Sequence, residues 1–284
     1  MDLRLKPIDY RVSTWLLMGA LVHCVFSSLV PRNLASLAAI ALLLYRFIRG
    51  YLVAIGHLRN KDQEGVIYGR ASTRIPGADG TLTTSSSESI VVLVLGASVQ
   101  HPNGRLSPGG AEINDYFVAM WKDAEAQRVK YGYLGNTPSM VAERGSGDSL
   151  GTRNGDDTGT TMIWLSYWKT LDGLHDFAHA KAHRSGWLWW ERGAEKKYKH
   201  LGIMHELYEV PAGSWETISA NFKPFAFGNA KFPVVETAQD GKQETLRYVS
   251  GLRGAKGKEW KSAEVRMGRT PGSLGSKKQK SEEV

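Results

Sequence analysis

The chain has 284 residues and a formal net charge of +8, enough length for one domain of about 100 to 200 residues with appendages. Its basic excess gathers beside the apolar N-terminus and after Gly251, not in a stripe interleaved with aromatic stacking partners, so no nucleic acid is expected as a partner and a membrane surface is. The single cysteine, Cys24, lies in an apolar run and excludes a disulfide framework or a thiolate metal site.

Val12 to Val30 contains no Asp, Glu, Lys or Arg, and about nineteen residues at 1.5 Å each reach the roughly 30 Å of a bilayer core, which predicts a spanning helix. After a turn at Pro31-Arg32-Asn33, Leu34 to Tyr45 is apolar again. Its dozen residues cover about 18 Å, so this segment either crosses with Arg46 and Arg49 snorkelling or lies in the interface. The first run is long for a signal peptide, and no small-residue cleavage site stands clear of the second. Arg4, Lys6 and Arg11 precede the pair and Arg46, Arg49, Arg59 and Lys61 close it, while the turn has only Arg32. Residues 1–56 are therefore expected to form a helical hairpin anchoring a cytosolic domain to the endoplasmic reticulum membrane; a single span would reverse the topology.

Residues 57–88, with Gly, Pro and a Thr/Ser run, read as a flexible linker. Ile90 to Leu95 is a buried strand by its aliphatic continuity. Ser107-Pro108 opens a helix to Arg128, with Ile113, Tyr116, Phe117, Met120, Trp121 and Ala124 at helical spacing. Tyr131 to Val141 is a weaker strand, 145–159 a loop, and Met162 to Trp168 a strong strand. A helix from Thr170 to about His183 follows, then a strand from Ile203 to Val210, to which Trp215 to Asn221 could add another. The order β-α-β-β-α-β gives an α+β, ferredoxin-like domain over 89–228. Its free sheet face suits a second copy, making a dimeric α/β barrel. Residues 229–284, polar and basic, are expected to be disordered.

Three features could carry chemistry. His175, His179 and His183 recur every fourth residue, so on one helix they would form a row able to share a proton or a ligand, or merely flank the core. His205 and Glu206 lie on opposite faces of their strand, with Tyr208 beside Glu206 and Glu216 beyond the turn; a carboxylate against aromatic walls could serve as a base, and a salt bridge is the plainer reading. Trp164, Trp168, Trp187, Trp189, Trp190 and Trp215 could be core or line a pocket for a flat apolar ligand.

The stretch from Trp164 to Trp190, ending His183-Arg184-Ser185-Gly186-Trp187-Leu188-Trp189-Trp190, and the stretch from His200 to Glu216, with His205-Glu206-Leu207-Tyr208-Glu209-Val210-Pro211-Ala212-Gly213, resemble the antibiotic-biosynthesis-monooxygenase-like proteins of fungal secondary-metabolite clusters. The resemblance implies a homodimer that oxidises a terpenoid or polyketide with O₂, in some relatives without metal, flavin or haem. There the protein removes a proton from an electron-rich substrate and stabilises the anion. It places His183, His205, Glu206 and Glu216 as candidate catalytic residues and Trp164, Trp168, His179, Trp187 and Asn221 as candidate pocket residues, with no metal and no cofactor. Two rivals stay open: a haem-dependent dehydratase or peroxidase with a helix histidine on iron, and a non-catalytic membrane-tethered scaffold for an apolar intermediate.

Overall fold

The computed structural model describes residue 10 and residues 12–77, 80–82, 86–142, 160–237, 244–257 and 260–273. Helix α1 (Val12–Leu29) and helix α2 (Arg32–Ala54) are joined at Pro31. The sequence points to the first run as the span, but the longer apolar helix is the second. Leu34–Ala54 has a mean hydropathy of 1.7, with none of it buried, while the first contributes the shorter Thr14–Leu29. Arginine is a good helix former, so Arg46 and Arg49 do not interrupt α2, which continues to the turn at Gly56.

The central sheet is built from β2 (Ile90–Val99), β3 (Tyr133–Asn136), β4 (Met140–Val141), β5 (Thr160–Trp168) and β6 (Leu201–Val210), in the order β3-β5-β2-β6 with β4 also on β5. Helix α3 (Gly110–Ala126), with the short α4 (Arg128–Tyr131), connects β2 to β3. Helices α5 (Leu171–His179) and α6 (Lys181–Trp189), a segment over Trp190–Ala194 kinked at Gly193, and α7 (Glu195–Lys197) connect β5 to β6. With all described pairs antiparallel, this is the ferredoxin-like arrangement, present as an open sheet. The register pairs Val91 with Trp168 and Glu209, and Leu95 with Trp164 and His205, so alternation sends these residues to the helix side.

That side holds two cores. Val91, Met120, Ala124, Tyr131, Tyr133, Trp168, Leu174 and Phe177 form the larger, and Val99, Ile113 and Leu201 a smaller one near the opposite end of β2. The periodic residues of α3 behave as its spacing requires, since Ile113, Met120 and Ala124 are buried.

Three expectations need correction. The helix predicted from Thr170 to His183 breaks at Ala180, whose backbone is extended (φ −67°, ψ 155°), so α5 and α6 are separate. Within 57–88, β1 (Ile67–Thr73) is a strand, not linker. It pairs with β7 (Ser219–Phe222) on one side and β10 (Leu252–Gly254) on the other, in a second sheet. The stretch expected to be disordered supplies the hairpin β8 (Lys231–Thr237) and β9 (Glu244–Ser250), then β10 and α8 (Ala263–Arg266). These segments cover part of the far side of the central sheet: Phe227, Ala230 and Phe232 pack with Ile90, Leu134, Tyr167 and Trp215. The loop predicted over 145–159 lies outside the described residues.

Candidate active site

The two helix-side cores leave space between them. One cavity of about 350 Å³ is lined by Ala97, Val99, Met162 and Trp164 from the sheet and Ile113, Asn114 and Phe117 from α3, with Arg105, Ser139 and Val141 completing it. Its volume falls in the range of about 300 to 1,000 Å³ common for small-molecule sites. A second cavity of about 60 Å³ shares Ile113 and Phe117 and is walled by Leu95, Met120, Ile203, His183 and Trp187. The two are neighbours across Phe117, whose ring lies 5.1 Å from that of Trp164.

His183 is the ionisable group of the smaller cavity. Its ring stands edge-on to Phe177 at 5.6 Å, and its Nδ1 is buried without a hydrogen-bond partner. Burial pushes its pKa below the ordinary histidine value; a nearby Ala178 carbonyl opposes the shift, and His205 and His179 add to it. The neutral imidazole, a competent proton acceptor, is thus favoured at neutral pH. His205 projects from β6 on the same sheet face as Ile203, close enough for its charge to act on His183, but is itself exposed.

The structure brings His183, Trp187 and Trp164 to these cavities, leaves His205 exposed beside them without lining either, and places the other candidates elsewhere. Trp168 is completely buried, with its indole N–H donating to Ser166 Oγ at 3.0 Å and its ring 4.8 Å from Phe177, so it is core and reaches neither cavity. Glu206 projects from the opposite sheet face and accepts from the Tyr208 hydroxyl at 2.5 Å. Glu216 is ion-paired with Arg266 beside the second sheet. Asn221 has φ +50°, and its side-chain oxygen accepts from the Gly69 N–H at 2.8 Å, which joins β7 to β1 where their register shifts. His179 is exposed, its Nδ1 2.8 Å from the His175 carbonyl oxygen. The Ala180 break takes His183 out of line with these two, so the three imidazoles do not form the expected row. Among the described residues no three His, Cys, Asp or Glu side chains are grouped to hold a metal ion.

Sequence reasoning missed Arg105, Asn114 and Ser139, which with Ser98 are the polar side chains of the larger cavity. The one available signal was Asn114, next to Ile113 on the apolar stripe of α3; Arg105 and Ser139 come from irregular segments without periodicity.

Residues 90–227 match the family model for the Monooxygenase af470-like proteins. Monooxygenase af470 of Aspergillus fumigatus is 28% identical over 264 residues, covering 93% of this chain and 89% of that protein. Among solved structures, an aldoxime dehydratase in complex with butyraldoxime is 16% identical with a TM-score of 0.34, over 61% of this chain and 45% of that one, so the chain spans less than half its length. A mutant form of SnoaB, a cofactor-independent oxygenase from Streptomyces nogalater, is 14% identical with a TM-score of 0.26, over 42% of this chain and 90% of that one. With the family match running from the first strand of the central sheet to Phe227, and the fungal relative aligned over nearly the whole length, the chain is similar to the Monooxygenase af470-like proteins, and these matches support an oxidoreductase.

Proposed function

We propose that the protein is a membrane-anchored monooxygenase that oxidises a small lipophilic terpenoid or polyketide of secondary metabolism with O₂ alone, His183 acting as the base. The observation that carries this reading is the partly buried His183 imidazole, the ionisable group of an apolar cavity that adjoins a larger one. Neutral His183 takes a proton from an activated C–H of the substrate, and the carbanion forms a C–O bond with O₂. The hydroperoxide recovers the proton from the imidazolium, and loss of water leaves a carbonyl. The four electrons that O₂ accepts come from the substrate carbon, so no external reductant is consumed. Apolar walls keep the anion from water, and Asn114 and Arg105 supply donors for its developing charge.

The membrane part of the reading is supported by the exposed, apolar Leu34–Ala54; with the shorter Thr14–Leu29 crossing beside it as a hairpin, the catalytic domain would lie on the cytosolic side of the endoplasmic reticulum. A homodimer is supported by the far side of the central sheet, where Met204 and Tyr208 are 44% and 51% exposed beside Glu206.

The test is turnover by detergent-purified, full-length protein, with its absorption spectrum and metal content measured on the same sample. A colourless, metal-free and active protein is the expected result; stoichiometric haem or iron required for turnover would overturn the mechanism. His183→Gln should lower kcat about 10² to 10⁴-fold without loss of fold. Because burial disfavours the imidazolium, the acid limb of the wild-type profile should fall below pH about 6.5. The same depression has the unfolded chain bind this proton more readily than the folded one, so the contribution to stability is present above the unfolded pKa and is lost as pH falls from about 6.5 through the folded value.

A further inference from the structure

On the other side of α6 from the His183 cavity, the turn out of that helix opens a surface groove of about 560 Å³. Its floor is aromatic: Trp189 lies 5.3 Å from Tyr116 on one side and 6.2 Å from Tyr198 on the other, nearly parallel to the latter at 29°. Two glycines set this floor in place. A Cβ at Gly186 would stand 3.1 to 3.4 Å from Tyr116, a tight contact, and one at Gly109 2.7 to 2.9 Å from Tyr198, so close that the ring would have to shift. The charged side chains lining the groove, among the described residues, are both cations, Arg192 and Lys197. The Lys197 ammonium lies 4.9 Å from the centre of the Tyr198 ring, with Glu112 the nearest competing carboxylate. A kink at Gly193 (φ +142°), between α6 and α7, sets Arg192 and Lys197 at the edge of this floor.

We propose that this groove binds a flat organic anion, with its ring stacked on Trp189 and Tyr198 and its carboxylate or phosphate held by Arg192 and Lys197. Stacking supplies contact area that either a neutral or a charged aromatic can use, and the cation pair selects for negative charge. Trp189 and Tyr116 also line the His183 cavity, so an occupant would touch two of that cavity's walls from outside. The site stands apart from the base chemistry proposed for His183 and does not depend on it.

The experiment is calorimetric titration of full-length, detergent-purified protein with 1-naphthoate and with neutral 1-naphthalenemethanol. Two exposed charge contacts predict that naphthoate binds about tenfold more tightly. The double variant R192Q/K197Q should lose this preference while keeping the weaker affinity for the alcohol, and R192E/K197E should transfer the preference to 1-naphthylmethylammonium. Ser185→Trp, which fills the groove from α6, should abolish binding of all three, and circular dichroism on each variant verifies the fold. Equal affinity of the wild type for naphthoate and the alcohol, or a naphthoate preference that survives R192Q/K197Q or Ser185→Trp, would overturn the proposal.

Discussion

The central sheet and the second sheet are assembled in contrasting ways. In the first, long strands rich in apolar residues run side by side over their whole length: β2 pairs with β5 at nine successive positions and with β6 at ten. The second, β10-β1-β7, pairs β1 with partners far along the chain, and the register of β1 on β7 shifts between Ile67 and Arg70. Polar side chains close its gaps. Thr217 Oγ1 accepts from the Thr73 N–H at 2.6 Å, Ser86 Oγ donates to the Trp215 carbonyl at 2.6 Å, and Arg266 binds both Glu216 and the Trp260 carbonyl. Buried Arg74 lies 4.9 Å from the Trp260 ring, with burial lowering its pKa to about 10 while Glu216 opposes the shift. The difference teaches that one region is stabilised mainly by apolar area, the other by a polar network that fails when one member is removed.

Substitutions can break this contrast in order of expected size. Trp168→Ala removes a completely buried indole from the central core and should cost about 3 to 5 kcal/mol by denaturant titration. Glu216→Gln removes the carboxylate that pairs with Arg266 and whose charge acts on Arg74. Since the paired side chains are 11% and 23% exposed, the cost should be about 2 kcal/mol, below that of a fully buried pair. Early proteolytic cleavage in the second sheet, with the central sheet intact, is the expected readout; simultaneous loss of both would mean that they unfold as one unit. Asn221→Ala, at φ +50° and without the bond to Gly69, should cost about 1 to 2 kcal/mol, and Asn221→Gly less, because glycine adopts that backbone freely. Tyr208→Ser, on the exposed side of β6, should change monomer stability by no more than about 0.5 kcal/mol and be visible only in the oligomeric state, measured by light scattering.

The same contrast decides what was legible in the sequence. Ile90–Leu95 and Met162–Trp168 announce themselves because apolar continuity and alternation are local properties, and the ferredoxin-like order follows once they are placed. Ile67–Thr73 has no such signal: its sequence Ile-Tyr-Gly-Arg-Ala-Ser-Thr becomes a strand because Ser219–Phe222 and Leu252–Gly254 arrive on either side, with Asn221 reaching Gly69 from 152 positions away. At the site, His183 could be singled out by spacing and resemblance. Its separation from His179 could not, because the break falls at Ala180, an alanine with the highest helix propensity. Trp168 misled for a related reason: an indole at the end of a strand reads alike whether it lines a cavity or plugs a core.

β6 ends its sheet, with β2 as its one partner among the described residues, and Ile203 through Glu209 are exposed along it. Alternate residues of this strand turn their N–H and C=O groups away from β2, and this free edge, flanked by Ile203, Met204, Leu207 and Tyr208, is a template on which another extended chain can add. Glu206 and Glu209, exposed on this strand, place charge where such an addition would have to pack. Replacing both with valine should turn a soluble preparation into one that sediments on concentration, although neither carboxylate lines the cavities beside His183.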